Sequence, residues 1–310
     1  MKSARNKTID MDVEEGRAYL KRCVSWDPSP DEACVKAEDI MDKTVIGDSL
    51  EIMKALPLGF ADLIIADPPY NMDKDFDGSS FKRSSDNDYA EYTEEWLKLA
   101  CPLLKETGSL YICCDWRSSA VIYEVLQRHL KVRNRITWQR EKGRGAKSNW
   151  KNSMEDIFYA TVSDSYTFNL DAVKQRRRVI APYRVEGKPK DWEETEQGNF
   201  RNTHPSNFWD DISVPYWSMA ENTAHPTQKP EKLLAKLILA SSNEGEMVFD
   251  PFAGSGSTMV TAKKLGRHYL GIEQNEKYYV WAEKRLEMAE TDKTIQGYRD
   301  GVFWERNSMK

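Results

Sequence analysis

The chain has 310 residues, 40% of them hydrophobic and 31% charged, enough for a large buried core, and no run of about 18 apolar residues offers a membrane span. The start, MKSARNKTIDMDVEEG, lacks the apolar core of a secretory signal, and the five cysteines show no paired metal-ligand spacing; a cytosolic protein with reduced, buried thiols is expected. Net charge is −5, yet residues 133–188 carry thirteen Lys/Arg against six Asp/Glu, a local +7 that points to a localised polyanion contact.

Residues 1–42 read as a polar N-terminal arm with one short helix in VEEGRAYLKRCV. From 43 the pattern becomes regular. TVIGDSLEIMKALP is strand, turn and helix; ADLIIAD is a buried strand; YTEEWLKLACPLLKETG has helical period and reaches Gly108 as a C-cap. SLYICCD, SAVIYEVLQRHL and VRNRITWQR follow as strand, helix and strand, which predicts a parallel sheet covered on both faces. Between 141 and 215 the alternation breaks, because EKGRGAKSNWKN and KPKDWEETEQGNFRNTHPSN are rich in turn formers and charge. It resumes from 216 with KPEKLLAKLILASS, EMVFD, STMVTAKKLG, HYLGIE and NEKYYVWAEKRLEMAE. The expected fold is therefore α/β, a doubly wound Rossmann-like sheet whose halves (43–140 and 216–310) flank an irregular basic insertion at 141–215.

Two turns carry the chemistry. In IIADPPYN, residues 64–71, a buried strand stops on an acid and two prolines, which cannot continue a sheet ladder. In VFDPFAGSGST, residues 248–258, a strand passes through Gly254 and Gly256 into a helix, and Glu273 ends the next strand about twenty residues on. An acid so placed suits the two hydroxyls of a ribose, so the ligand is a dinucleotide or another adenosine compound. Asp250 beside the glycines would repel a pyrophosphate and suits a cationic ligand better.

Together, DPPY at 67–70, HPTQKP at 225–230 and DPFAGSGST at 250–258 resemble the β-class DNA amino-methyltransferases that use S-adenosylmethionine, in that family's motif order. The resemblance covers roughly 43–290. It implies that Asp67, Pro68, Pro69 and Tyr70 are catalytic. It also implies that Asp250, Phe252, Gly254, Gly256 and Glu273 line the cofactor site, with His225, Thr227 and Lys229 at the methionine end. Asp48 matches a contact to the cofactor adenine, or is a turn aspartate capping a helix. Within the family, Asp at the position of Asp67 goes mainly with adenine N6. Cytosine N4 is the alternative base, and a non-catalytic DNA-binding subunit is a reading from another class. The basic insertion is expected to meet double-stranded DNA through Arg140, Lys142, Arg144, Lys147, Lys151, Arg176, Arg177 and Arg178. No metal is implied, because the methyl donor is already activated as a sulfonium. The resemblance also admits a homodimer and a cognate restriction endonuclease as partners.

Overall fold

ADLIIA is buried at all six positions and forms the middle of the main sheet. The computed structural model describes residues 3, 5–25, 35–76, 79–140, 148–180 and 183–305. In chain order the main sheet takes β1 (Val24–Ser25), β2 (Lys43–Ile46), β3 (Ala61–Ala66), β4 (Leu104–Cys114) and β5 (Lys131–Gln139). It continues with β6 (Met154–Thr161), β7 (Phe208–Trp209), β8 (Met247–Asp250) and β9 (His268–Glu273). Their spatial order is β1-β2-β9-β8-β3-β4-β6-β5-β7.

Successive side chains of a strand point to opposite faces, and the two faces of this sheet have separate cores. On one, Ile64, Leu110 and Ile112 pack with Trp96, Leu97, Ile122 and Val125, from helices α2 (Asp86–Ala100) and α3 (Ser119–Leu126); α1 (Ser49–Met53) adds Ile52 and Met53. On the other, Leu63, Ile65 and Tyr111 pack with Leu233, Leu237, Val260 and Leu286 from α4 (Glu231–Ser241), α5 (Ser257–Lys264) and α6 (Glu276–Thr291). From β3 the chain winds one way to β4, and from β8 it winds the other way to β9. The reversal falls between β8 and β3, whose register pairs Val248 with Leu63 and Phe249 with Ile64 in parallel. Ligands of open α/β sheets sit beyond the carboxyl ends of strands at such a switch point. DPPY and DPFAGSG emerge there side by side.

Three expectations need correction. The helix does not run to Gly108: α2 stops at Ala100, Cys101–Leu103 form a 3-10 turn, and β4 already starts at Leu104. Pro102 has no N–H to continue the helix. Gly108 instead sits inside the strand, where a Cβ would lie 2.8 Å from the Lys105 carbonyl oxygen. Nor is the sheet wholly parallel, since β6 is antiparallel to both β4 and β5. The third correction follows from the second: 141–215 is not irregular throughout, because β6 lies within it and is almost wholly buried. A short strand buried on both faces has no alternation to betray it.

Three short strands of the 141–215 segment, Glu193–Thr195, Gly198–Thr203 and Gln175–Arg178, join Val302–Trp304 and Tyr298–Arg299 from the C-terminal end in a separate five-stranded sheet, in that order. The N-terminal arm packs on α6: Ile9 joins Tyr278, Val280 and Trp281, and the Trp281 indole donates to the Met11 carbonyl at 2.9 Å. No helix among the described residues is long and apolar enough to cross a membrane.

Candidate active site

The turn after β3 is tied down at several points. The Tyr89 hydroxyl donates to the Pro69 carbonyl at 3.1 Å, fixing the loop to α2. The Asn71 side chain accepts from Ser84 N at 2.8 Å and donates to the Ser84 carbonyl at 3.1 Å. Held this way, Asp67 projects into a cluster of four charges. Lys229 Nζ donates to Asp67 Oδ2 at 2.6 Å and to the Tyr70 hydroxyl at 3.0 Å, and lies 3.3 Å from Glu155 Oε2. The Tyr70 hydroxyl is 2.8 Å from Asp67 Oδ1 and 3.3 Å from Glu155 Oε2. Arg140 pairs with the other Glu155 oxygen. The Lys229 and Glu155 side chains are 6% and 4% exposed, against 21% for Asp67, so two acids and two cations balance where water is scarce. Burial by itself would lower the Lys229 pKa; Asp67 and Glu155 outweigh it and raise it above the ordinary lysine value. Burial, then the two carboxylates, push the Tyr70 phenol well above its usual range.

The second half of the site is the turn after β8. Gly254 and Gly256 have φ of 53° and 76°, in the left-handed region that favours glycine. A Cβ on Gly254 would stand 3.2 Å from His225 Nε2, and one on Gly256 would stand 2.6 Å from the Ala282 Cβ of α6. Glu273 closes the turn by accepting from Gly254 N and from Asn275 N, each at 2.7 Å. Burial pushes its carboxyl up to about 7, and burial does the same for Asp250, whose Oδ1 accepts from Phe252 N at 3.0 Å. The Phe252 ring meets Trp96 edge-on with centroids 5.6 Å apart. His225 packs edge-on against Tyr278 at 4.4 Å, and Thr227 N reaches its Nδ1 at 3.4 Å. A cavity of about 340 Å³ joins the two halves, lined among others by Asp48, Asp67, Tyr70, Phe252, Gly254 and Glu273.

The expected residues do not all fall in one place. Pro68, Pro69, His225, Thr227, Lys229 and Asp250 also line the cavity, while Gly256 stands behind its wall. Asp48 caps α1, with Oδ1 accepting from Leu50 N at 2.8 Å and Glu51 N at 3.2 Å, and still faces the cavity. Lys229, expected at the methionine end, has its ammonium on Asp67. Arg140, expected on DNA, turns inward to Glu155. The arginine run belongs to the five-stranded sheet. Arg176 is paired with Glu193 at 2.8 Å and lies over the rings of Phe200 and Trp304, its side chain 13% exposed. Arg177 lies 3.3 Å from Glu305, and Arg178 lies over Phe200. Lys151 is exposed, whereas Lys142, Arg144 and Lys147 lie outside the described residues. Glu155 was missed. Its signal is faint: an acid heading the short apolar run IFYA.

A sequence-family profile described as DNA methylase matches residues 61–284, from β3 into α6. The chain belongs to the DNA methylase family. This methylase is 35% identical over 251 residues to the type II methyltransferase M.HpaI of Haemophilus parainfluenzae, covering 80% of this chain and 75% of that one. It is also 35% identical over 255 residues to the DNA adenine methyltransferase YhdJ of Escherichia coli, covering 80% and 83%. Two solved structures share the fold. One is an M1.HpyAVI–SAM complex, with a TM-score of 0.54 and 24% identity over 78% of this chain and 98% of that one. The other is the cytosine-N4-specific PvuII DNA methyltransferase, with a TM-score of 0.56 and 16% identity over 80% and 91%. In this methylase both turns and the four-charge cluster fall within the matched span, and so does the cavity lining apart from Asp48, Ser49 and Leu50.

Proposed function

We propose that this methylase moves a methyl group from S-adenosylmethionine to the N6 amine of an adenine turned out of double-stranded DNA. The observation that carries the reading is one cavity with Asp67 on one wall and the Gly254 turn with Glu273 on the other. Its volume, about 340 Å³, suits a cofactor-sized ligand. The residues present also fit S-adenosylmethionine chemically. Glu273 accepts ribose hydroxyls, the Gly254 and Gly256 turn lets backbone approach the ligand, and acids rather than a phosphate cradle match a cationic compound. Phe252 and Asp48 bound the adenosine end, and His225, Thr227 and Asp250 the methionine end.

S-adenosylmethionine supplies an electrophilic methyl group on a sulfonium. A base amine is a poor nucleophile because its lone pair is delocalised into the ring. The Asp67 carboxylate and the Pro68 carbonyl accept its two N–H bonds, in a geometry that turns the lone pair toward the methyl group. Because the strand end, the prolines and the Tyr89 hydrogen bond hold those acceptors in place, little reorganisation is needed at the moment of transfer. The methylated amine carries positive charge until it loses a proton, and Asp67 stabilises that charge. Tyr70 stacks on the extruded base. Lys229 holds and neutralises Asp67 rather than the methionine group. Residues 141–215 outside β6 and β7 supply the recognition surface for duplex DNA.

The identity to a relative named an adenine methyltransferase supports adenine over cytosine. The test is chemical. DNA treated with the protein and labelled S-adenosylmethionine is digested to nucleosides, and N6-methyladenine is expected. N4-methylcytosine would overturn the choice of base, and no modification on any DNA would leave a non-catalytic DNA-binding subunit.

A further inference from the structure

Both oxygens of Asp67 are already occupied by groups of the protein itself: Lys229 Nζ on Oδ2 at 2.6 Å and the Tyr70 hydroxyl on Oδ1 at 2.8 Å. A carboxylate offers roughly four acceptor sites, so an incoming amine competes with these two donors for Asp67. A buried ammonium cannot simply be pushed aside, because a charge left unpaired in this environment is strongly unfavourable. It needs a second acceptor within a small movement. Glu155 Oε2 is that acceptor, 3.3 Å from Lys229 Nζ and 3.3 Å from the Tyr70 hydroxyl, so both displaced donors face the same oxygen. Its other oxygen is held by Arg140, which fixes the carboxylate and leaves Oε2 toward the site.

We propose that Glu155 is a positioning residue that receives the Lys229 ammonium, and with it the Tyr70 hydroxyl, when the adenine amine takes their place on Asp67. The proposal rests on the reading of Asp67 as the amine acceptor. Three consequences follow. The ligand-free site is clamped shut on its own carboxylate. Opening transfers hydrogen bonds from a carboxylate 2.6 Å from the ammonium to one 3.3 Å from it and moves no net charge. Arg140 acts through Glu155 and not on phosphate.

The distinguishing experiment is a double-mutant cycle on single-turnover methylation rate, with cofactor affinity and melting temperature measured on every variant. Glu155→Gln removes the competing charge and leaves Lys229 clamped on Asp67, so the rate should fall about 10- to 100-fold with cofactor affinity unchanged. Adding Lys229→Gln removes the clamp and restores charge balance, so the double variant should be faster than Glu155→Gln alone. A purely structural Glu155 predicts no such rescue. The proposal is overturned if Glu155→Gln turns over at the wild-type rate or if the double variant is no faster than the single one. Should Glu155→Gln fail to fold, the same cycle run on Glu155→Asp, which keeps the charge at a greater distance, should give a smaller loss and the same rescue; its absence there is equally fatal. Wild-type product analysis separates the two levels. If the wild type makes no N6-methyladenine, the reading of Asp67 fails, whereas a methylating wild type with an unaffected Glu155→Gln sinks the clamp alone.

Discussion

The elevated carboxyl of Glu273 makes a quantitative prediction about pH. Its two oxygens take backbone N–H groups from Gly254 and Asn275, and burial still pushes the group up to about 7. If the charged carboxylate is what accepts the ribose hydroxyls, binding below pH 7 must first remove a proton. At about pH 5.5 a group titrating near 7 is charged in about one molecule in thirty, so S-adenosylmethionine should bind about 30-fold more weakly than on the alkaline plateau. Asp250, pushed up to about 7 by burial, then by the nearby charges of Asp67 and Glu273, steepens the fall if it also binds charged. In Glu273→Gln the carboxamide can accept from one of the two N–H groups while its NH₂ faces the other, leaving a buried donor unmatched at about 1–3 kcal/mol. That variant should bind weakly at all pH values with a flattened profile. Calorimetric titration of the cofactor from mildly acidic to mildly alkaline buffer is the assay. A flat wild-type profile, or an undiminished pH dependence in Glu273→Gln, refutes the assignment of the ribose to a charged Glu273.

Further outcomes can be checked alongside. In the cofactor-free protein, Glu273 and Asp250 titrate higher folded than unfolded, so their contribution to stability is complete below their ordinary range and is lost as pH rises through about 7; the melting temperature of Glu273→Gln should therefore vary less with pH than the wild type's over that window. Asp67→Ala should lower the methylation rate by about 10²–10³ or more while cofactor affinity stays within a few-fold, and a fully active variant would remove Asp67 from the chemistry. Gly254→Ala and Gly256→Ala each impose left-handed strain of about 1–2 kcal/mol, but the second also drives a Cβ to 2.6 Å from Ala282 and adds overpacking of about 1–3 kcal/mol. Gly254→Ala should thus chiefly weaken cofactor binding while Gly256→Ala chiefly lowers the melting temperature, and equal melting temperatures would contradict the packing argument. Arg176→Ala should destabilise the five-stranded sheet and leave the salt dependence of DNA binding unchanged, whereas Lys151→Ala should reduce that slope by about one unit; the reverse pattern would return Arg176 to the DNA surface.

What could be read from the residues alone was local. A β-branched run stopped by two prolines defines a strand end, and a strand, GxG turn and helix followed by Glu273 define a nucleotide-type site, because each depends on backbone rules acting over a few residues. Helices with one apolar stripe were legible for the same reason. The helix overrun to Gly108 ended at a local cause, Pro102, but the misreading of β6 and the unseen ion-pair partners depended on residues distant in sequence. β6 shows no alternation because both its faces are covered: Phe158 and Ala160 enter one core and Ile157 and Tyr159 the other, each built by residues from elsewhere in the chain. Charge alone singled out Arg140 and Arg176 as DNA contacts; tertiary packing gives them Glu155 and Glu193 as partners and leaves their side chains 25% and 13% exposed. Lys229 lies 162 positions from Asp67 along the chain, and Glu155 lies 85 from Tyr70. An ion pair is decided by distance and desolvation, which a linear pattern does not encode; folding the two halves around the β8–β3 switch point is what brings those charges within 3.3 Å of one another.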